Sequence, residues 1–110
     1  MKISFTLRGV ELEETGAEIL RRKADFAFNR FAEKLQSLEV VLYDINGPRG
    51  GEDKRCRLIF RFVGEPVVIL EERGESVVAV GLTAMERASQ ILSRRHEKFL
   101  RRKEAAVRAH

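Results

Sequence analysis

The sequence has one cysteine, no tryptophan, one tyrosine, two prolines and two histidines in 110 residues. A lone thiol, Cys56, excludes an intramolecular disulfide and a thiolate-rich zinc site. His96 lies inside a basic segment and His110 at the terminus, so no single element carries a two-histidine metal site. The glycine-rich stretch Gly47-Pro48-Arg49-Gly50-Gly51 lacks the Gly-Lys-Ser/Thr ending of a phosphate loop and does not lead into a helix. Long apolar runs are also missing. Segments such as Pro66 to Leu70 fall far short of the roughly 18 residues that a membrane span needs. The opening Met1 to Phe5 turns charged again at Arg8 and Glu11, which is not the pattern of a secretory signal. These absences predict a cytoplasmic protein that is not an enzyme, with no cofactor, no metal and no small-molecule substrate.

The chain does have a normal apolar fraction, 44%, and a high charged fraction, 35%. Its length fits one domain, whose core buries roughly 65% of the surface of the unfolded chain. The net charge of +4 is unevenly distributed. Residues 1–86 carry 13 basic and 15 acidic residues, a net of −2; residues 87–110 carry 8 basic and 2 acidic, a net of +6. A positive excess confined to the last quarter of the chain points to a polyanionic partner.

Residues 2–8 alternate strictly, with Ile3, Phe5 and Leu7 on one face, as a half-buried strand does. Glu13, Glu14 and Glu18 favour a helix start, and Leu20, Ala24, Ala27, Phe28, Phe31 and Leu35 continue it as a 3.6-residue stripe. The first helix is therefore predicted over about 13–35. Leu38, Val40 and Leu42 mark a second strand, and a glycine-rich connection precedes a third, whose Cys56, Leu58, Phe60 and Phe62 share one face. In that position Cys56 reads as a buried structural thiol rather than a nucleophile. After the turn at Gly64-Glu65, Pro66 to Glu71 read as the fourth strand. Ser76 is placed to cap a second helix with the stripe Val77, Val80, Ala84, Ala88, Ile91, Leu92 and Phe99. Gly81 within it implies close packing or an early kink. The expected fold is α+β: a β-α-β-β-β-α two-layer sandwich, a four-stranded sheet with two helices packed on one face. One domain is expected over 1–103, with a frayed tail over 104–110.

Helix two carries the densest chemistry. Arg87, Arg94, Lys98 and Arg101 fall on one broad face at 100° per residue, with Arg95 and Arg102 on its flank. Such a ladder meets several phosphates of a nucleic-acid backbone without reading bases. The alternatives are a solvated helix end that complements its own dipole, or an anionic membrane or acidic protein. A membrane is disfavoured, because the apolar face is needed for the core and there is no tryptophan to anchor at an interface. Helix one adds Arg21, Arg22, Lys23, Arg30 and Lys34 among Glu14, Glu18 and Glu33. Alone these read as a solvated face; beside helix two they would border one basic groove. On the third strand Arg55, Arg57 and Arg61 share the open sheet face with Tyr43, and are expected to pair with Glu39, Glu71 and Glu72.

The pattern as a whole resembles the ribosome hibernation-promoting factor family, the ribosome-associated translation inhibitors, in its short form. The likeness spans nearly the full length. It rests on Ile3-Ser4-Phe5-Thr6-Leu7-Arg8-Gly9-Val10-Glu11-Leu12 and on Val40-Val41-Leu42-Tyr43-Asp44 followed through a glycine-rich loop by Asp53-Lys54-Arg55-Cys56. It rests most on Glu86-Arg87-Ala88-Ser89-Gln90-Ile91-Leu92-Ser93-Arg94-Arg95-His96-Glu97-Lys98. The acidic–aromatic pair that usually opens the family's second helix is absent, and Ser76-Val77-Val78-Ala79 stands there instead. The resemblance implies a translation inhibitor that binds the small ribosomal subunit and its ribosomal RNA and blocks the messenger and transfer RNA sites. It carries the RNA-binding role to Arg22, Lys23, Arg30, Arg87, Arg94, Arg95, Lys98, Arg101 and Arg102. Off the ribosome a monomer is expected. Two other readings stay open: a general RNA-binding module of double-stranded-RNA-binding type, and a protein-interaction adaptor using the open sheet face.

Overall fold

The computed structural model describes the backbone of residues 1–45 and 53–108 and the side chains of residues 1–45 and 53–96. The loop Gly47–Asp53 therefore lies outside the described residues except for Asp53. In chain order the elements are β1 (Lys2–Arg8), α1 (Glu14–Phe28), a 3-10 turn (Asn29–Phe31), β2 (Leu35–Asp44), β3 (Lys54–Phe62), β4 (Val68–Gly74) and α2 (Val77–Arg108). The sheet order is β1-β2-β3-β4. β1 pairs with β2 in parallel, whereas β2–β3 and β3–β4 are antiparallel. This is the α+β sandwich expected from the periodicities, and the parallel first pair follows from the helical crossover through α1.

One core lies between the sheet and the helices. Leu20, Ala24, Ala27 and Phe28 of α1 meet Leu38, Val40 and Leu42 of β2, Cys56, Leu58 and Phe60 of β3, and Val80, Ala84, Met85, Ala88 and Leu92 of α2. Phe28 stands edge-on to Phe60, ring centroids 5.0 Å apart, a favoured aromatic geometry. Ser76 caps α2 as expected, its Oγ accepting from the Ala79 backbone N–H at 3.4 Å.

Several boundaries differ from the sequence reading. The first helix ends at Phe28 rather than near 35. Phe31 continues the buried stripe from a 3-10 turn, and Leu35 does so as the first residue of β2. A buried residue every three or four positions persists across this change of backbone because all three elements face the same core. β4 begins at Val68 instead of Pro66 and runs on to Gly74. Proline has no N–H for the ladder, and Pro66 lies just past the turn that passes through Gly64 at φ +71°. Leu7, expected in the core, is 43% exposed, as fits a side chain on an edge strand with cover from one side only. The α2 backbone continues to Arg108, through residues 104–108 of the stretch expected to fray; the Phe99 side chain and residues 109–110 lie outside those described.

The two helices run side by side in the same direction. Residue pairs across the contact rise together: Gly16 with Val78, Leu20 with Gly81, Lys23 with Glu86, Arg30 with Ser89 and Ser93, and Phe31 with His96. Gly81 makes this approach possible. A Cβ there would stand 2.7 Å from Leu20 Cδ2, and Leu20 is fully buried and cannot retreat. The sequence reading's close packing, not a kink, is what the glycine serves.

Candidate nucleic-acid interface

The nine cations proposed from the sequence divide into three groups once the helices are in register. The first group ties the fold together. Lys23 bridges to Glu86 of α2 at 2.6 Å. Arg30 donates to Ser89 Oγ at 3.0 Å and to Ser93 Oγ, and its guanidinium lies 4.9 Å from the Phe31 ring centroid. Arg87 donates to Glu72 of β4, which links α2 to the sheet. Glu72, expected on the open sheet face, lies on the helix side, because it pairs in register with the buried Cys56.

The second group is exposed. Arg22 is 80% exposed and makes an i, i+4 pair with Glu18 at 2.6 Å, a contact of the kind that stabilises by only a few tenths of a kcal/mol. Arg94 and Arg95 are exposed and have no hydrogen-bond or ion-pair partner among the described residues. Lys98, Arg101 and Arg102 form the third group, and their side chains lie outside the described residues. Their backbone belongs to α2, which continues twelve residues past His96, about 18 Å of helix. His96 itself packs edge-on against Phe31, centroids 5.7 Å apart.

Between the helices Lys23, Leu82, Thr83, Glu86 and Arg87 line a shallow hollow. Its walls are a mixed-charge surface, so among the described residues the positive potential concentrates further along, where Arg94 and Arg95 have no acidic partner. Arg30 adds to it, since its partners are neutral hydroxyls that leave the guanidinium charge uncompensated.

The opposite face of the sheet is closed by its own charges. Arg61 pairs with Glu39 at 3.8 Å and Arg57 with Glu71 at 3.5 Å, as expected across strands. Tyr43 donates to Glu71, and that hydrogen bond, ahead of burial, raises the pKa of the phenol. Arg57 also covers the Tyr43 ring at 5.8 Å. The one ring that could serve as a base-stacking platform on this face is thus occupied.

Two features escaped the sequence reading. Lys54 bridges Asp44 at 2.7 Å and Asp53 at 3.2 Å where β2 and β3 meet their loop, and the hydrogen bond to Asp44 raises the lysine pKa. The other is Phe26, off the apolar stripe and exposed on α1.

Cys56 is fully buried, and burial, with smaller contributions from Glu72 and Glu71, pushes its thiol up to about 12. The folded thiol is therefore expected to react with a disulfide reagent at pH 8 about 2,000-fold more slowly than in the unfolded chain, from thiolate fraction alone. Because the folded value is the higher one, its contribution to stability is complete below about pH 8.5 and falls as the unfolded thiol ionises above that. Labelling kinetics with and without urea check this; fast labelling of the native protein would mean an accessible, low-pKa thiol. Among the described residues no three His, Cys, Asp or Glu side chains group to hold a metal ion, and no helix is long and apolar enough to cross a membrane.

No family model matches the sequence, and no curated protein does. Solved structures do. The Protein Y N-terminal domain from Thermus thermophilus superposes with a TM-score of 0.66 at 20% identity, over 86% of this chain and 98% of that one. A ribosomal subunit interface protein from Coxiella burnetii gives 0.64 at 15% identity, over 88% and 99%. Both neighbours are of the hibernation-promoting factor family, and the fold of this chain is the one they share.

Proposed function

We propose that this protein is a ribosome-associated translation inhibitor that acts by occupancy. Its two parallel helices lie against ribosomal RNA of the small subunit and exclude messenger and transfer RNA. The observation that supports this reading is the juxtaposition of a fold shared with a ribosomal subunit interface protein and two exposed arginines, Arg94 and Arg95, that have no partner among the described residues and lead into a basic stretch of α2. Arg94 and Arg95, with Lys98, Arg101 and Arg102 beyond them, supply phosphate contacts; Lys23 and Arg87 hold the helices and sheet that present them, and Arg30 both ties its turn to α2 through neutral hydroxyls and offers its charge to the same surface. Arg22 flanks the same surface. No step of this mechanism needs catalysis, a cofactor or a second copy of the chain. The adaptor reading is less favoured, because two of the arginines of the open sheet face, Arg57 and Arg61, are paired with its own carboxylates.

The test is sedimentation of the purified protein with ribosomes through a sucrose gradient at low and high salt, with excess duplex RNA as competitor. Co-migration with the small subunit that survives the competitor is expected. With about six phosphates engaged, log affinity should fall against log salt with a slope of roughly −4 to −5. Protein that follows the duplex instead belongs to a general double-stranded-RNA-binding module, and protein that stays at the top of the gradient ends the ribosomal reading.

A further inference from the structure

Phe26 is 86% exposed, the most open of the large apolar side chains described, and it makes no ring or cation–π contact among the described residues. Two residues further on, Phe28 is fully buried, so this is not an incompletely packed core position. Its surroundings are specific. The i−4, i−3 and i+4 neighbours of Phe26 are Arg22, Lys23 and Arg30, the three helix-one cations of the interface. At 100° per residue Arg22 lies about 40° to one side of the ring and Lys23 about 60° to the other, and Arg30 follows in the 3-10 turn just past the end of α1. Lys23 and Arg30 face α2, which puts Phe26 on the rim of α1 that borders the second helix.

A contact for another protein is expected to offer a contiguous apolar patch. Here the ring's helical neighbours are charged or polar, with Ile19 two turns back as the apolar exception. A single open ring between cations is the arrangement that holds unpaired RNA, bases stacking on the aromatic face while phosphates meet the charges. We propose that Phe26 is a stacking residue for one unpaired nucleobase, whose flanking phosphates are held by Arg22 and Arg30. This deepens the ribosomal reading above and rests on it for the source of the RNA.

The test uses the whole chain and small ribosomal subunits at fixed salt. Phe26→Ala is expected to weaken binding about 10-fold or more, with the salt slope unchanged, because no charge is removed. Phe26→Tyr should bind within about 2-fold of the wild type, and Phe26→Leu as poorly as Phe26→Ala, because stacking needs the π-face. An alanine variant that binds like the wild type overturns the assignment. So does a leucine variant that keeps full affinity, which would reassign the site to an apolar contact with a ribosomal protein. If the wild type does not bind small subunits, the ribosomal reading has failed, and the stacking role is decided separately. The chain has no tryptophan, so Phe26→Trp makes the only indole emitter. A single-stranded 12-nucleotide oligoadenylate should quench it and a 12-base-pair duplex should not; no quenching by the single strand overturns the proposal.

Discussion

Reversing Arg94 and Arg95 together to glutamate is expected to abolish co-sedimentation with ribosomes while leaving the protein folded. Both side chains are exposed, neither has a partner among the described residues, and neither belongs to the apolar stripe of α2. Their removal should therefore change stability by no more than about 0.5 kcal/mol. On RNA the two charges act directly. Losing two phosphate contacts should lower the salt slope by about 2, and the new carboxylates add repulsion. At physiological salt we expect a loss of about 100-fold or more. Arg87→Ala is the informative contrast: it leaves the half-buried Glu72 without its guanidinium, so its cost should fall on urea stability before it falls on binding. A folded Arg94→Glu/Arg95→Glu protein that sediments like the wild type would remove both arginines from the interface.

Phe28→Ala is expected to destabilise the fold by about 3–5 kcal/mol. The ring is fully buried and packs edge-on against Phe60, where α1 meets the sheet. Truncation loses that burial and leaves a cavity which the helix cannot fill, because Gly81 and Leu20 already hold α1 at closest approach to α2. In a domain of this size the loss is a large part of the total stability. It should lower the urea midpoint by about 2–4 M at an unchanged slope. Phe26→Ala, two residues away, should leave the midpoint where it is. Equal midpoints for both variants would mean that α1 is rotated about its axis relative to the packing described.

Much of this was legible because it is local. The alternation in residues 2–8 and in β3, the Ser76 cap and the stripe of α2 each state their backbone geometry within a few residues, and the fold follows from the order of the elements. The stripe through Leu20, Phe28, Phe31 and Leu35 was read correctly as buried and incorrectly as one helix. Periodic burial records which side faces the core, and the backbone can pass from helix to 3-10 turn to strand while that side is kept. The basic run in α2 was legible as a run, and its cations looked equivalent.

The sequence by itself determined the layer architecture, the buried thiol and the helix that carries the positive excess. Only the tertiary structure decided which cations are free. Lys23 and Glu86 are 63 residues apart, as are Arg30 and Ser93, and Arg87 and Glu72 sit on different elements. The first two pairings depend on the parallel register of two helices, set where Leu20 meets Gly81, and the third on how α2 lies over β4. Charge patterns repeat over three or four residues, whereas that register is a long-range packing result. For the same reason an exposed phenylalanine among arginines becomes a candidate site only when the neighbouring helix shows which rim it stands on.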